Sequence, residues 1–219
     1  MSKEKSIAWL GLGIAAGAAL AYVLLRRAEA RKLSPAVRAF GKRLFTPASF
    51  QATLDDFLAN TGELRRAMRG GRLGRAFGER VMLVVSQVNG CRSCSFAHTR
   101  FALREGVPAE DLRRLAAGDL QGQPEETLVA LLFAQHYAET GGNPEPAAQQ
   151  RLEAAYGEDG AREARAFLRL AMMTSLFNNT LEAIWSRLLG RPATGSSLSS
   201  ELSVMLGFPA VVLRHYLRR

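Results

Sequence analysis

From Gly78 onward the apolar positions recur at three- and four-residue intervals, and short glycine-bearing breaks separate one such stretch from the next. The pattern predicts helices over Glu79–Val88, Cys91–Glu105, Pro108–Ala117, Glu125–Thr140, Pro144–Tyr156 and about Arg162–Leu189. The breaks fall at Asn89-Gly90, Gly106, Gly118, Gly141-Gly142 and Gly157. In the last helix Phe167, Leu170, Ala171, Thr174 and Phe177 form a core-facing stripe, with Met172 and Met173 as gap fillers. No stretch alternates convincingly with period two, so the fold class read from the pattern is all-α. Upstream, Thr46-Pro47 is a helix start of the N-cap and Pro-N1 kind, and LDDFLANTG follows with a stop at Gly62. Arg69-Gly70-Gly71-Arg72 separates this helix from the next. It lacks both the preceding strand and the GK[ST] ending of a phosphate-binding loop.

A different pattern marks the beginning of the chain. Residues 7–25, IAWLGLGIAAGAALAYVLL, carry no charge over nineteen positions, a helix length of ~28 Å that matches one hydrocarbon thickness. Trp9 and Tyr22 stand near its ends, and Arg26, Arg27, Arg31, Lys32, Arg38, Lys42 and Arg43 outnumber Lys3 and Lys5 on the early side. The expectation is a single-pass transmembrane anchor with the rest of the chain facing the cytoplasm. The rival, a cleaved signal peptide with Ala28-Glu29-Ala30 as its site, has too long an apolar stretch and two arginines before the cleavage point. Residues 26–45 read as a basic connector. GSSLSS, Gly195 to Ser200, is a polar linker to a final segment Glu201–Arg219 interrupted at Pro209, its basic end either on a membrane or on a neighbouring subunit. The organisation expected is therefore 1–32 membrane anchor and basic flank, 33–194 helical domain, and 195–219 linker and basic amphipathic tail.

Composition changes this picture little, and charge changes it in one respect. Forty-seven per cent hydrophobic and 22% charged residues over 219 positions are ordinary for a globular chain. The net charge of +9 divides as +1 over residues 1–25, +8 over 26–80 and zero over 81–219. A nucleic-acid reader spreads its basic side chains over a folded face, whereas here the regularly patterned part is neutral, so nucleic acid is not an expected partner. Two cysteines cannot staple a chain of this size.

Those two cysteines carry the chemistry. In Glu79-RVMLVVSQVNG-Cys91-Arg-Ser-Cys94-Ser-Phe-Ala-His98, the positions 91, 94 and 98 share one helix face, and Asn89-Gly90 puts Cys91 in the first turn. There the helix N-terminus favours a thiolate, and an imidazolium beyond Cys94 favours it further. A fold-back at Asn89-Gly90 sets Glu79 opposite a residue near position 100. The sequence thus allows a line in which the Glu79 carboxylate orients the His98 imidazole and the imidazole takes the proton of Cys94. Three blander readings accompany this one: cysteines as small core hydrophobes, a zinc site from Cys91, Cys94 and His98 that lacks a fourth ligand, and Glu79 as an exposed helix-start carboxylate. A c-type haem site is excluded because residue 95 is serine. His136 and His215 are assigned no role.

The string resembles the alkylhydroperoxidase D-like branch of the carboxymuconolactone decarboxylase superfamily: a Glu, eleven residues, then C-x-x-C-x-x-x-H, on an all-helical domain. The resemblance extends over about residues 50–190 and includes the NGC start of the cysteine helix and Asn178-Asn179 in the later long helix. It implies a thiol-dependent peroxidase or disulfide oxidoreductase that reduces hydroperoxides. Cys91 and Cys94 would be the redox pair, and Glu79 and His98 the proton relay. It also implies a homo-oligomer, commonly trimeric, no metal or other cofactor, and a lipoyl-type or thioredoxin-like dithiol as electron donor. One position departs from the best-known branch, where a His stands immediately before the second cysteine; this chain has Ser93. The superfamily's true decarboxylases lack the cysteine pair. The alternative of another class is a non-catalytic, membrane-tethered helical oligomer serving as scaffold or redox sensor.

Overall fold

A computed structural model describes residues 3–32, 40–120 and 122–217, with side chains from Ala15 onward except at position 216. Its described residues form helices and no strands. In chain order these are α1 (Lys3–Lys32), α2 (Pro47–Ala59), α3 (Thr61–Met68), α4 (Gly74–Val88), α5 (Arg92–Arg104), α6 (Ala109–Ala116), α7 (Glu125–Glu139), α8 (Pro146–Leu188) and α9 (Leu198–Leu217).

Helix α4 is the centre of the packing, with α5, α7 and α8 against it. Its Val81–Val85 run, VMLVV, is apolar on every side and buried on every side, as a helix enclosed by neighbours must be. Gly78 on the same helix is required by close approach, since a Cβ there would stand 2.6 Å from the Phe167 ring of α8. The predicted break at Gly157 is present as a kink, φ 71° and ψ 171°, inside the otherwise continuous α8. Beyond it, Ala164, Phe167, Leu168, Ala171 and Met172 are buried.

Several boundaries differ from the reading of the sequence. Thr46 caps α2 as expected, its hydroxyl accepting from the Ser49 amide at 3.1 Å while the Ser49 hydroxyl accepts from the Thr46 amide at 3.0 Å. The helix ends at Ala59, and the separate helix α3 begins at Thr61, where the sequence suggested a stop at Gly62. Helix α4 starts at Gly74 because Phe77 packs edge-on against Tyr156, a contact with no trace in the local pattern. Pro209 does not interrupt the last helix, and α9 lies on α2 and α8 of its own chain. The reason is tertiary. Phe208 stacks on Phe177 at 5.2 Å, Val204 is buried, and the buried Glu201 carboxylate receives two hydrogen bonds from Arg187, 3.0 and 2.7 Å.

The expected membrane anchor is overturned. Among the described residues no helix is long and apolar enough to cross a membrane, so the single-pass, cytoplasm-facing placement does not stand. The side chains of residues 7–14, within the expected span 7–25, lie outside the described residues. Immediately after that span α1 meets protein: Arg27 Nε donates to the Leu188 carbonyl at 2.6 Å, and Ala30 is buried. The basic connector is also partly ordered. Residues 40–45 are non-helical with a bend at Lys42, Phe45 is buried, and the Arg43 guanidinium donates to the Ala138 and Glu139 carbonyls (2.9 Å to the latter), satisfying the C-terminal end of α7.

Tyr137, 7% exposed on α7, gives the fold an alkaline limit: burial pushes its phenol up to about 12. Below pH ~10 the phenol is neutral folded and unfolded, and between ~10 and ~12 only the unfolded chain ionises. Stability should therefore fall by about 2–3 kcal/mol across that window through this residue. Urea unfolding at stepped pH should show Tyr137→Phe losing that much less stability than the native sequence between pH 10 and 12.

Candidate redox site

The site is built on the turn between α4 and α5. Gly90 adopts φ 71°, a left-handed conformation suited to glycine, and the turn closes as a Schellman motif. The Gly90 amide donates to the Gln87 carbonyl at 2.9 Å and the Cys91 amide to the Ser86 carbonyl at 2.8 Å. Gly90 is required a second time by proximity, since a Cβ would meet the Gly41 carbonyl at 3.2 Å. Cys91 is then the N-cap of α5, its sulfur accepting from the Cys94 amide at 3.3 Å. The two cysteines are joined as a disulfide, with Cα atoms 5.3 Å apart. Cys91 is fully buried and Cys94 half-buried, so of the two residues Cys94 is the one open to solvent.

Helix α8 holds this turn from behind. The Asn89 carboxamide donates to Ser175 Oγ at 2.8 Å and to Met172 Sδ at 3.3 Å. The Asn179 carboxamide donates to the Asn89 carbonyl at 2.7 Å and to the Arg43 carbonyl at 3.0 Å, and the Arg43 amide donates to the Asn89 carbonyl at 3.1 Å. Asn89, Ser175 and Asn179 are each 0% exposed. Buried amides with fixed partners hold the backbone that begins the cysteine helix.

The turn sends α5 back along α4, and Glu79 and His98 meet: Glu79 Oε2 lies 2.8 Å from His98 Nδ1. Glu79 is 3% exposed, so it is a buried carboxylate and not a solvated helix-start residue. With Nδ1–H donating to Glu79, Nε2 is left as the acceptor nitrogen of His98. His98 stands one helical turn beyond Cys94 on α5. All four residues singled out in the sequence thus lie on this helical hairpin. The cysteines are not separate core hydrophobes, and among the described residues no group of three or more His, Cys, Asp or Glu side chains is arranged to hold a metal ion. His136 lies elsewhere, paired with Glu145.

Sequence reasoning missed a second polar group on the other cysteine. Asn178 Nδ2 lies 3.5 Å from Cys91 Sγ, 2.9 Å from Ser93 Oγ and 3.2 Å from Glu182 Oε1. Ser93 Oγ is 3.7 Å from Cys91 Sγ and 3.5 Å from Glu182 Oε1, and the Glu182 carboxylate is ion-paired with Lys42. The i, i+4 spacing of Asn178 and Glu182 was a signal of a shared face. Nothing local pointed from Lys42 to them.

Comparison with known proteins identifies part of this architecture. Residues 53–136 match the family described as the carboxymuconolactone decarboxylase family, a span that contains Glu79, Cys91, Cys94 and His98 and excludes Lys42, Asn178 and Glu182. No curated protein and no solved structure matches the chain.

Proposed function

We propose that the chain, whose residues 53–136 match the carboxymuconolactone decarboxylase family, is a thiol-dependent hydroperoxide reductase cycling Cys91 and Cys94 between dithiol and disulfide. The observation that carries this reading is the buried Glu79–His98 hydrogen bond on the helix that bears the joined cysteines. A disulfide beside an oriented imidazole has both an electron store and a base. In the reduced protein the Cys94 thiolate attacks the outer peroxide oxygen. The O–O bond breaks, the leaving alkoxide takes from His98 the proton that His98 had removed from Cys94 and departs as the alcohol, and Cys94 becomes a sulfenic acid. The Cys91 thiolate then attacks the Cys94 sulfur, the S–O bond breaks, and the leaving hydroxide takes a proton from solvent and departs as water. A dithiol donor of the lipoyl or thioredoxin-like kind reduces the disulfide and returns two electrons. The half-exposed position of Cys94 and its turn-long spacing to His98 support its role as attacking thiol. By resemblance the chain works as a homo-oligomer.

The test is steady-state consumption of an organic hydroperoxide by the full chain with a panel of dithiols. The expected result is many turnovers per cysteine pair with at least one donor. A single stoichiometric oxidation that stops with every donor overturns the enzyme reading and leaves a redox sensor.

A further inference from the structure

Cys91 and Cys94 have separate polar surroundings. His98 follows Cys94 by one helical turn, whereas three donors converge on Cys91 Sγ: the Cys94 amide at 3.3 Å, Asn178 Nδ2 at 3.5 Å and Ser93 Oγ at 3.7 Å. Resting on the dithiol–disulfide cycle proposed above, we infer that Ser93 and Asn178, held by the Lys42–Glu182 ion pair, stabilise Cys91 as the departing thiolate when a dithiol donor attacks Cys94.

Hydrogen counting carries the argument. The Asn178 amide has two hydrogens for three acceptors, Cys91 Sγ, Ser93 Oγ and Glu182 Oε1, and the Ser93 hydroxyl has one hydrogen for two, Cys91 Sγ and Glu182 Oε1. A disulfide sulfur is a weak acceptor, so in the oxidised protein those hydrogens favour oxygen. A thiolate is a charged acceptor and draws them to itself. Glu182 can release them because Lys42 remains bound to it, and the same ammonium offsets a carboxylate that would otherwise disfavour a neighbouring thiolate. Ser93 therefore acts on the first cysteine from the position where the resembling branch has its additional His. Asn178 and Ser93 touch the reacting sulfur; Lys42 and Glu182 are positioning residues.

Exposure decides which sulfur is attacked. Cys91 is fully buried and Cys94 half-buried, so a donor thiolate reaches Cys94. A bond forms between the donor sulfur and Cys94 Sγ, the Cys91–Cys94 bond breaks, and its electron pair leaves on Cys91. The donor's second thiolate attacks the donor sulfur of the mixed disulfide and Cys94 departs, taking a donor proton by way of His98. The other donor proton passes to solvent, and the donor ends as a disulfide. The lower the proton affinity of the leaving thiol, the faster it leaves and the more readily the disulfide is reduced.

The experiment is equilibration of the full chain with graded ratios of reduced and oxidised dithiothreitol at pH 7, followed by thiol alkylation and mass spectrometry. Ser93→Ala and Asn178→Ala should each shift the equilibrium toward disulfide by about tenfold, ~30 mV for this two-electron couple. Lys42→Met should shift it the same way, and adding Glu182→Gln to Lys42→Met should reverse that shift. Ser93 is exposed, so its variant folds as the parent does. Equilibria within twofold of the parent for both Ser93→Ala and Asn178→Ala would overturn the inference. Reaction with an aromatic disulfide should be fast for Cys91→Ser, which leaves Cys94, and slow for Cys94→Ser; the reverse order also overturns it. Neither measurement uses peroxide. Absent peroxide turnover with shifted equilibria counts against the peroxidase reading alone, and turnover with unshifted equilibria counts against this inference alone.

Discussion

Cys94→Ser should abolish hydroperoxide turnover, while Cys91→Ser should consume one equivalent of peroxide and stop. The asymmetry follows from where the two sulfurs sit. Cys94 is half-buried on the first turn of α5 with His98 one turn on, so peroxide can reach its sulfur and a base stands near. Cys91 is fully buried and surrounded by donors, an environment for a resolving and leaving thiolate and not for a first encounter with substrate. Without Cys91 the sulfenic acid at Cys94 has no partner within the motif and persists, trappable by a dimedone-type reagent. Without Cys94 no sulfur is both accessible and beside the base. Stopped-flow peroxide consumption with mass spectrometry of the Cys91–Cys94 peptide reads both outcomes. Equal stoichiometric oxidation of the two variants would remove the assignment of Cys94 as attacking thiol.

The relay variants should show the second large effect, and its pH dependence separates chemistry from structure. His98→Gln and Glu79→Gln should each slow peroxide reaction near neutral pH by ~10²–10⁴-fold, the usual contribution of a positioned general base. In the proposed relay Glu79 would act through His98. Glu79 Oε2 lies 2.8 Å from His98 Nδ1, and with the proton on Nδ1 the carboxylate would leave Nε2 to take the thiol proton and would stabilise the imidazolium that results. Glutamine keeps the volume and a carbonyl acceptor but removes the charge, so folding should be nearly unchanged while the rate falls. As pH rises the thiolate forms without help, and much of the loss should be recovered at alkaline pH. The rate profiles of both variants should thus move to higher pH relative to the parent. If the variants match the parent rate across the whole range, Glu79 and His98 are structural residues.

Local chemistry made much of this protein legible before any coordinates. Helical periodicity and glycine breaks are properties of a few consecutive residues, and so are the Thr46-Pro47 cap and the Asn89-Gly90 reversal, all of which appear in the structure. The meeting of Glu79 and His98 was legible for the same reason. They lie 19 residues apart around one turn, so knowing where the chain reverses nearly determines which residues face each other. Helix spacing also placed Cys91 and Cys94 within bonding reach, since residues three apart share a face.

What the sequence left undecided depends on which surfaces meet. Ser93, Asn178, Glu182 and Lys42 gather at Cys91 across sequence separations of up to 140 residues, and no local pattern specifies which face of α8 lies against the cysteine turn. The continuity of α9 through Pro209 is settled by Phe177 and Arg187 on another helix, whose contacts hold the helix where a proline alone would break it. The early start of α4 likewise depends on Tyr156. The apolar beginning of the chain misled because a run of apolar residues states that it is costly to leave in water, not what will cover it: Leu20, Tyr22, Leu24 and Leu25 are exposed, and α1 meets the body of the protein past them, at Arg27 and Ala30. Periodicity and turn chemistry, being short-range, were set by the sequence alone. Pairing of distant helices was decided only by tertiary packing, because burial is non-directional and becomes specific when side chains interlock and buried polar groups find their partners.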